Sequence, residues 1–106
     1  MMADQDHHVL ENFAARVRQR FPKARIWAFG SRARGDATWE SDLDICVVIN
    51  DLTDEDRHTI GHIAWEVGFE HEMVITAVCF TQEEFERGPM SESTLVINIL
   101  REGLTA

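Results

Sequence analysis

The spacing of apolar positions changes along the chain, and each change marks an element. Val9, Leu10, Phe13, Ala14, Val17 and Phe21 recur at intervals of three and four, which lines one face of an amphipathic helix. Asp4 or Asp6 stands where a cap would sit, and Pro22 stops the helix. Arg16, Arg18 and Arg20 gather toward its end, where cations favour the helix dipole. Arg25 to Phe29 reads as a short buried strand ended by Gly30, followed by a helical turn over Ser31–Gly35 and a loop over Asp36–Ser41. Asp42 to Ile49 is the second strand. Thr53 or Asp54 caps a second long helix whose core stripe is Ile60, Ile63, Ala64 and Val67. Glu72 to Phe80 is the third strand, apolar on both faces and so expected at the centre of a sheet. Thr81 and Glu84 form a capping box for a short helix, and Gly88-Pro89 breaks the chain. Ser91 or Ser93 caps a last helix with Leu95, Val96, Ile99 and Leu100 inward, ended by Gly103. This order predicts an α/β (α+β) fold, a small mixed β-sheet flanked by helices, with residues 1–106 as a single domain.

Composition narrows the setting. The chain has 106 residues, 44% of them hydrophobic and 27% charged, in the range of an ordinary globular domain. Its longest apolar run is far short of the roughly 18 residues of a membrane span. The first residues carry no basic flank or apolar centre, so they do not read as a secretory signal, and a cytoplasmic location is the expectation. A formal net charge of −9 disfavours nucleic acid as a partner, because such binding rests on neutralising phosphates with Lys and Arg. That argument weakens only where a site carries its own divalent ion. Cys46 and Cys79 lie in apolar runs and are expected as buried free thiols. His58 and His62 share a helix face, but two ligands alone make no metal site, and polar packing accounts for them.

The chemistry concentrates between Gly30 and Asp44. Side chains alternate on a strand, so Asp42 and Asp44 point to one side, about 7 Å apart along it. Short carboxylates there suit one or two hard divalent ions such as Mg²⁺. They equally suit the solvated end of a strand. Gly30 permits a sharp turn and close approach to a ligand. Ser31 begins a helical turn whose first N–H groups, with its hydroxyl, face an anion. Arg32 and Arg34 add positive charge for phosphates or partners. The Gly-Ser turn followed by Asp-Leu-Asp supplies both halves of a nucleotide-triphosphate site, an anion cradle and a metal site. Trp39, in the loop between them, fits either base stacking or a packed loop anchor.

Gly30-Ser31-Arg32-Ala33-Arg34-Gly35 followed by Ser41-Asp42-Leu43-Asp44 resembles the signature of the DNA polymerase beta-like nucleotidyltransferase superfamily, and more narrowly its minimal nucleotidyltransferases. The resemblance implies that Gly30 and Ser31, with Arg32, Arg34 and Ser41, hold the nucleotide, and that Asp42 and Asp44 bind Mg²⁺. It implies ATP as donor, with one or two Mg²⁺ and pyrophosphate leaving. A third carboxylate, usually Asp, is expected at the start of the next strand, and Glu72 is the candidate for this catalytic and metal-binding position. Glu is longer by one methylene. Its oxygen is displaced by about 1 Å, an error that can lower a rate about 100-fold.

Minimal members are often paired with a small helical HEPN-type protein as toxin and antitoxin. The resemblance therefore implies an antitoxin that modifies a hydroxyl of its partner, in a homo- or hetero-oligomer. At 106 residues a second, acceptor-binding domain is not expected. Two other readings remain: a silent nucleotidyltransferase-fold module that neutralises its partner by contact, and a small-molecule (antibiotic) nucleotidyltransferase subunit.

Overall fold

The structure, a computed structural model, describes residues 1–87 and 94–106. Its elements are α1 (Asp4–Arg20), β1 (Arg25–Phe29), α2 (Gly30–Arg34), β2 (Leu43–Ile49), α3 (Asp54–Glu70), β3 (Ile75–Thr81), α4 (Gln82–Arg87), α5 (Thr94–Glu102) and β4 (Leu104–Thr105). The sheet order is β3-β2-β1-β4. β1 runs antiparallel to β2 and β4, and β2 runs parallel to β3 through the α3 crossover.

Strand alternation divides the core in two. Ile26, Leu43, Ile45 and Val47 meet Phe13 and Val17 of α1 and Ile60 and Val67 of α3 on one face. Trp27, Cys46, Val48 and Phe80 meet Phe85 of α4 and Val96 and Ile99 of α5 on the other. Asp44 lies two residues before Cys46 and belongs to that second face. Cys46 and the partner of Cys79, Val47, are adjacent in sequence, so the two cysteines occupy opposite faces and both are free thiols. Burial pushes the Cys46 thiol up to about 12, which keeps it protonated and inert.

Several expectations need correction. β3 is an edge strand, not a central one. Its two-sided apolar pattern reports helices over both faces rather than strands on both sides. The exposed edge is partly closed by the Arg57 guanidinium, which donates to the Cys79 carbonyl at 3.0 Å. β3 also begins at Ile75 rather than at Glu72. β2 begins at Leu43, although the Leu43 N–H still donates to the Val74 carbonyl at 2.9 Å, so Asp42 directly abuts the ladder. Neither Asp4 nor Asp6 caps α1, whose cap position is Ala3. The two-residue strand β4, too short to leave a pattern, completes the sheet beside β1.

The caps of α3 and α4 form as the sequence predicts. Thr53 and Asp56 exchange bonds of 3.1 Å, and Thr81 and Glu84 exchange bonds of 2.9 and 3.0 Å. The backbone bond from Thr81 holds the Glu84 carboxyl below its usual range. The Gly88-Pro89 break and the Ser91 or Ser93 cap lie outside the described residues.

Candidate active site

β1 passes into α2 without a linker. Phe29 is extended, and Gly30 takes φ 77, a left-handed value that an L side chain rarely adopts. Phe29 is the register partner of Asp44. The turn therefore folds directly onto that carboxylate: a Cβ on Gly30 would lie 2.5 Å from Asp44 Oδ2. The left-handed dihedral is what calls for glycine, and a side chain there would also push the Asp44 carboxylate aside. Gly35, at φ 83, closes α2 by donating to the Ser31 and Arg32 carbonyls at 3.0 and 3.2 Å. We expect Gly30→Ala to cost about 1–2 kcal/mol of stability through strain. By displacing the Asp44 carboxylate it also weakens any stabilisation by Mg²⁺. Thermal melts with and without Mg²⁺ check this, and an unchanged melt with an intact Mg²⁺ response contradicts it.

Asp42 and Asp44 share one environment. Asp44 is register partner of Thr76 on β3, and the Thr76 hydroxyl donates to Asp42 Oδ2 at 3.3 Å. Asp42 is exposed and Asp44 half-buried. Burial, then the neighbouring Asp42 charge, raises the Asp44 carboxyl above its ordinary value. Two like charges held together at the end of a strand, one of them partly desolvated, form an uncompensated arrangement that a divalent cation relieves. Short oxygen donors of this kind fit Mg²⁺.

Thr76 is the residue that sequence reasoning missed. It occupies the place on the neighbouring strand that faces the aspartate pair. Its signal lay in the register of β3, and that register depends on where the preceding turn ends.

Glu72 is not brought to the pair. α3 runs on to Glu70, and the chain folds back with Met73 N–H donating to the Gly68 carbonyl at 2.9 Å. Gly68 permits this close return, since a Cβ there would meet the Met73 carbonyl at 2.4 Å. Glu72 sits in the turn at φ 54 and lines a separate cavity with Trp65, Phe69 and Val74. Among the described residues no three His, Cys, Asp or Glu side chains gather as a metal site. The same holds for His58 and His62, where His62 instead pairs with Glu66 at 2.5 Å.

Arg32 and Ser41 build the loop between the two halves of the site. The Arg32 Nε donates to the Ser41 carbonyl at 2.7 Å, and its Nη2 reaches the Trp39 carbonyl at 3.3 Å. Its Nη1 holds both oxygens of buried Asp6 at 3.0 and 3.2 Å. This guanidinium is committed to fixing the loop against α1. Ser41 Oγ accepts the Thr38 N–H at 3.1 Å and closes a turn whose tip, Trp39, is 86% exposed. Arg34 pairs with Asp36 at 3.3 Å on the surface. Removing the Arg32 guanidinium leaves Asp6 buried without its partner. We expect Arg32→Ala to cost about 2 kcal/mol, read by urea denaturation, and Asp6→Asn in the same chain to recover part of it. Additive losses contradict the pairing.

The comparisons with known proteins agree with this geometry. The nucleotidyltransferase domain family matches residues 10–104. Human Terminal uridylyltransferase 7 is 40% identical over 45 residues, 42% of this chain but 3% of that protein's length. A toxin-antitoxin crystallised with AMP-PNP superposes with a TM-score of 0.59 and 21% identity, covering 90% of this chain and 70% of that one. A mutant of the toxin-antitoxin MntA-HpeT gives 0.59 and 19% over the same shares. These solved structures share the fold, while the family match runs through the Gly30 turn, the aspartate pair and strands β1 to β3. The chain belongs to the nucleotidyltransferase domain family.

Proposed function

We propose that the protein transfers a nucleoside monophosphate, AMP from ATP, to a hydroxyl of a small helical HEPN-type partner, as the antitoxin of a toxin–antitoxin pair. The observation that carries this reading is the contact between the Gly30 turn and the Asp44 carboxylate. This close approach supports a site in which a phosphate-binding turn and a metal-binding carboxylate act together. The family match supports nucleotidyl transfer. The likeness to toxin-antitoxin structures, one of them with AMP-PNP, supports the pairing and the donor.

Asp42 and Asp44 would hold Mg²⁺, whose charge offsets the triphosphate and stabilises the leaving pyrophosphate. Gly30 lets the backbone approach the phosphates, and Ser31 presents its N–H and hydroxyl to them. Thr76 fixes Asp42 by its hydrogen bond. Arg32 and Ser41 set the loop that spaces the turn from the aspartates. The acceptor oxygen bonds to the α-phosphorus, the bond to the bridging oxygen breaks, and the hydroxyl proton passes to solvent. Incubation with labelled ATP, Mg²⁺ and the partner tests the reading. Label that fails to transfer, or still transfers with Asp42 and Asp44 both changed to Asn, rejects it.

Thr76 in place of a carboxylate favours a second reading, inhibition of the partner by contact with little turnover. Neutralisation of the partner in cells by the double Asn variant would select it.

A further inference from the structure

A second surface lies beside the aspartate pair. Three large apolar side chains that face solvent, Trp65 (64% exposed), Phe69 (73%) and Val74 (63%), gather at one groove between the end of α3 and the start of β3. The groove encloses about 1090 Å³. His62, Trp65 and Phe69 form a ladder of rings along α3, with centroids 6.2 and 5.4 Å apart and both pairs inclined by 17°. Among the described residues no side chain covers this aromatic ladder, whose Trp65 and Phe69 stay mostly open to water. Contiguous exposed apolar area marks an interaction site, and Trp is a frequent anchor at such sites. Val74 also joins the groove to the site, because its carbonyl accepts the Leu43 N–H next to Asp42.

The rim decides what fits. Glu70 and Glu72 line the groove, and Glu66 stands one residue from Trp65. Glu66 and Glu70 share the single Arg16, at 3.7 and 2.5 Å. Glu72 is exposed and its carboxylate has no partner among the described residues. Phosphate backbones are repelled by such a rim. A second copy of this chain would bring the same acidic rim and a net charge of −9. A cationic, amphipathic protein segment meets both the rings and the carboxylates.

We propose that this groove docks a basic amphipathic helix of a partner protein and so delivers a hydroxyl of that partner to Asp42 and Asp44. The delivery step rests on the nucleotidyl-transfer reading, whereas the docking step does not. A synthetic Leu/Lys amphipathic helix, its Leu/Glu counterpart and amide NMR shifts test the docking. The Leu/Lys helix is expected to bind, with shifts clustered over residues 61–75, and the Leu/Glu helix to leave the spectrum unchanged. Trp65→Ser with Phe69→Ser should weaken binding at least about tenfold, and Glu72→Lys several-fold. Both variants change exposed side chains and should keep the native dichroism and the melting shift with Mg²⁺ and ATP.

Shifts elsewhere, equal binding of the Leu/Glu helix, or unchanged affinity of the double variant overturns the proposal. So does sedimentation showing that the chain alone self-associates through Trp65. If the groove binds as expected but native protein shows no Mg²⁺–ATP response, the nucleotide reading falls while the docking surface stands. If that response is intact and groove binding is absent, the docking surface alone falls.

Discussion

Asp42→Asn combined with Asp44→Asn should lower nucleotidyl transfer by about 10³-fold or more, roughly 4 kcal/mol of transition-state stabilisation, while making the metal-free protein more stable. The two effects have one cause. The carboxylates repel each other, and Asp44 is partly desolvated by burial. Each therefore weakens the fold without a cation, and together they create the attraction for one. Asn keeps the shape and removes the charge. Radiolabel transfer measures the first effect and melts in chelator the second. Transfer within about tenfold of native sinks the catalytic assignment, and a double variant that melts lower in chelator sinks the electrostatic one.

Burial of Asp44, and after it the Asp42 charge, fixes the sign of a pH dependence. Asp44 has a raised carboxyl pKa in the fold, so between its ordinary value near 3.8 and the folded value the native state binds more protons than the unfolded chain. The contribution of this group to stability is then most favourable below that window and falls as pH rises through it. In chelator the native protein should lose stability over this window relative to the Asp44→Asn protein. Mg²⁺ should restore more of it at neutral pH than at acid pH. A difference between the two proteins that stays flat with pH contradicts the assignment.

How much of this was legible beforehand follows from the range over which each signal acts. The α1 and α3 stripes, β1, α2, the Thr53 cap and the Thr81–Glu84 capping box are written in neighbouring residues, and they form where the sequence places them. The Gly30–Asp44 segment announces a phosphate turn and a carboxylate pair by spacing alone. What the sequence hides is decided by chain geometry between elements. Gly68 lets the chain fold tightly back on α3, which moves the strand start from Glu72 to Ile75. That change of three residues leaves Glu72 outside the ladder and pairs Leu43 with Ile75 and Asp44 with Thr76. It takes Glu72 away from the aspartates and puts Thr76 opposite them. Arg32 shows a similar limit: its charge suggests phosphate, but Asp6, far away in sequence, claims it. The edge position of β3 was hidden because apolar residues on both faces report covering helices as readily as flanking strands.

Thr76→Asp provides the second large expected effect, a gain of about 10²-fold in transfer, the lower end of what a placed general base contributes. Thr76 is in register with Asp44, and its hydroxyl already reaches Asp42 at 3.3 Å. A carboxylate on the same backbone position therefore joins the pair without any rearrangement of β3. It would stand ready to take the acceptor proton that the native chain leaves to solvent. It also adds a third like charge, so the variant should be less stable than native protein in chelator and should gain more from Mg²⁺. Thr76→Asn separates charge from shape, because it offers a similar volume with no base. Transfer and melting are measured on both variants with the same partner preparation. A rise with Asp and none with Asn means that the missing carboxylate limits an otherwise assembled enzyme. Equal behaviour of the two, or no rise with either, means that the aspartate pair does not wait on a base. Neutralisation by contact then becomes the better account of a site whose third position carries a hydroxyl.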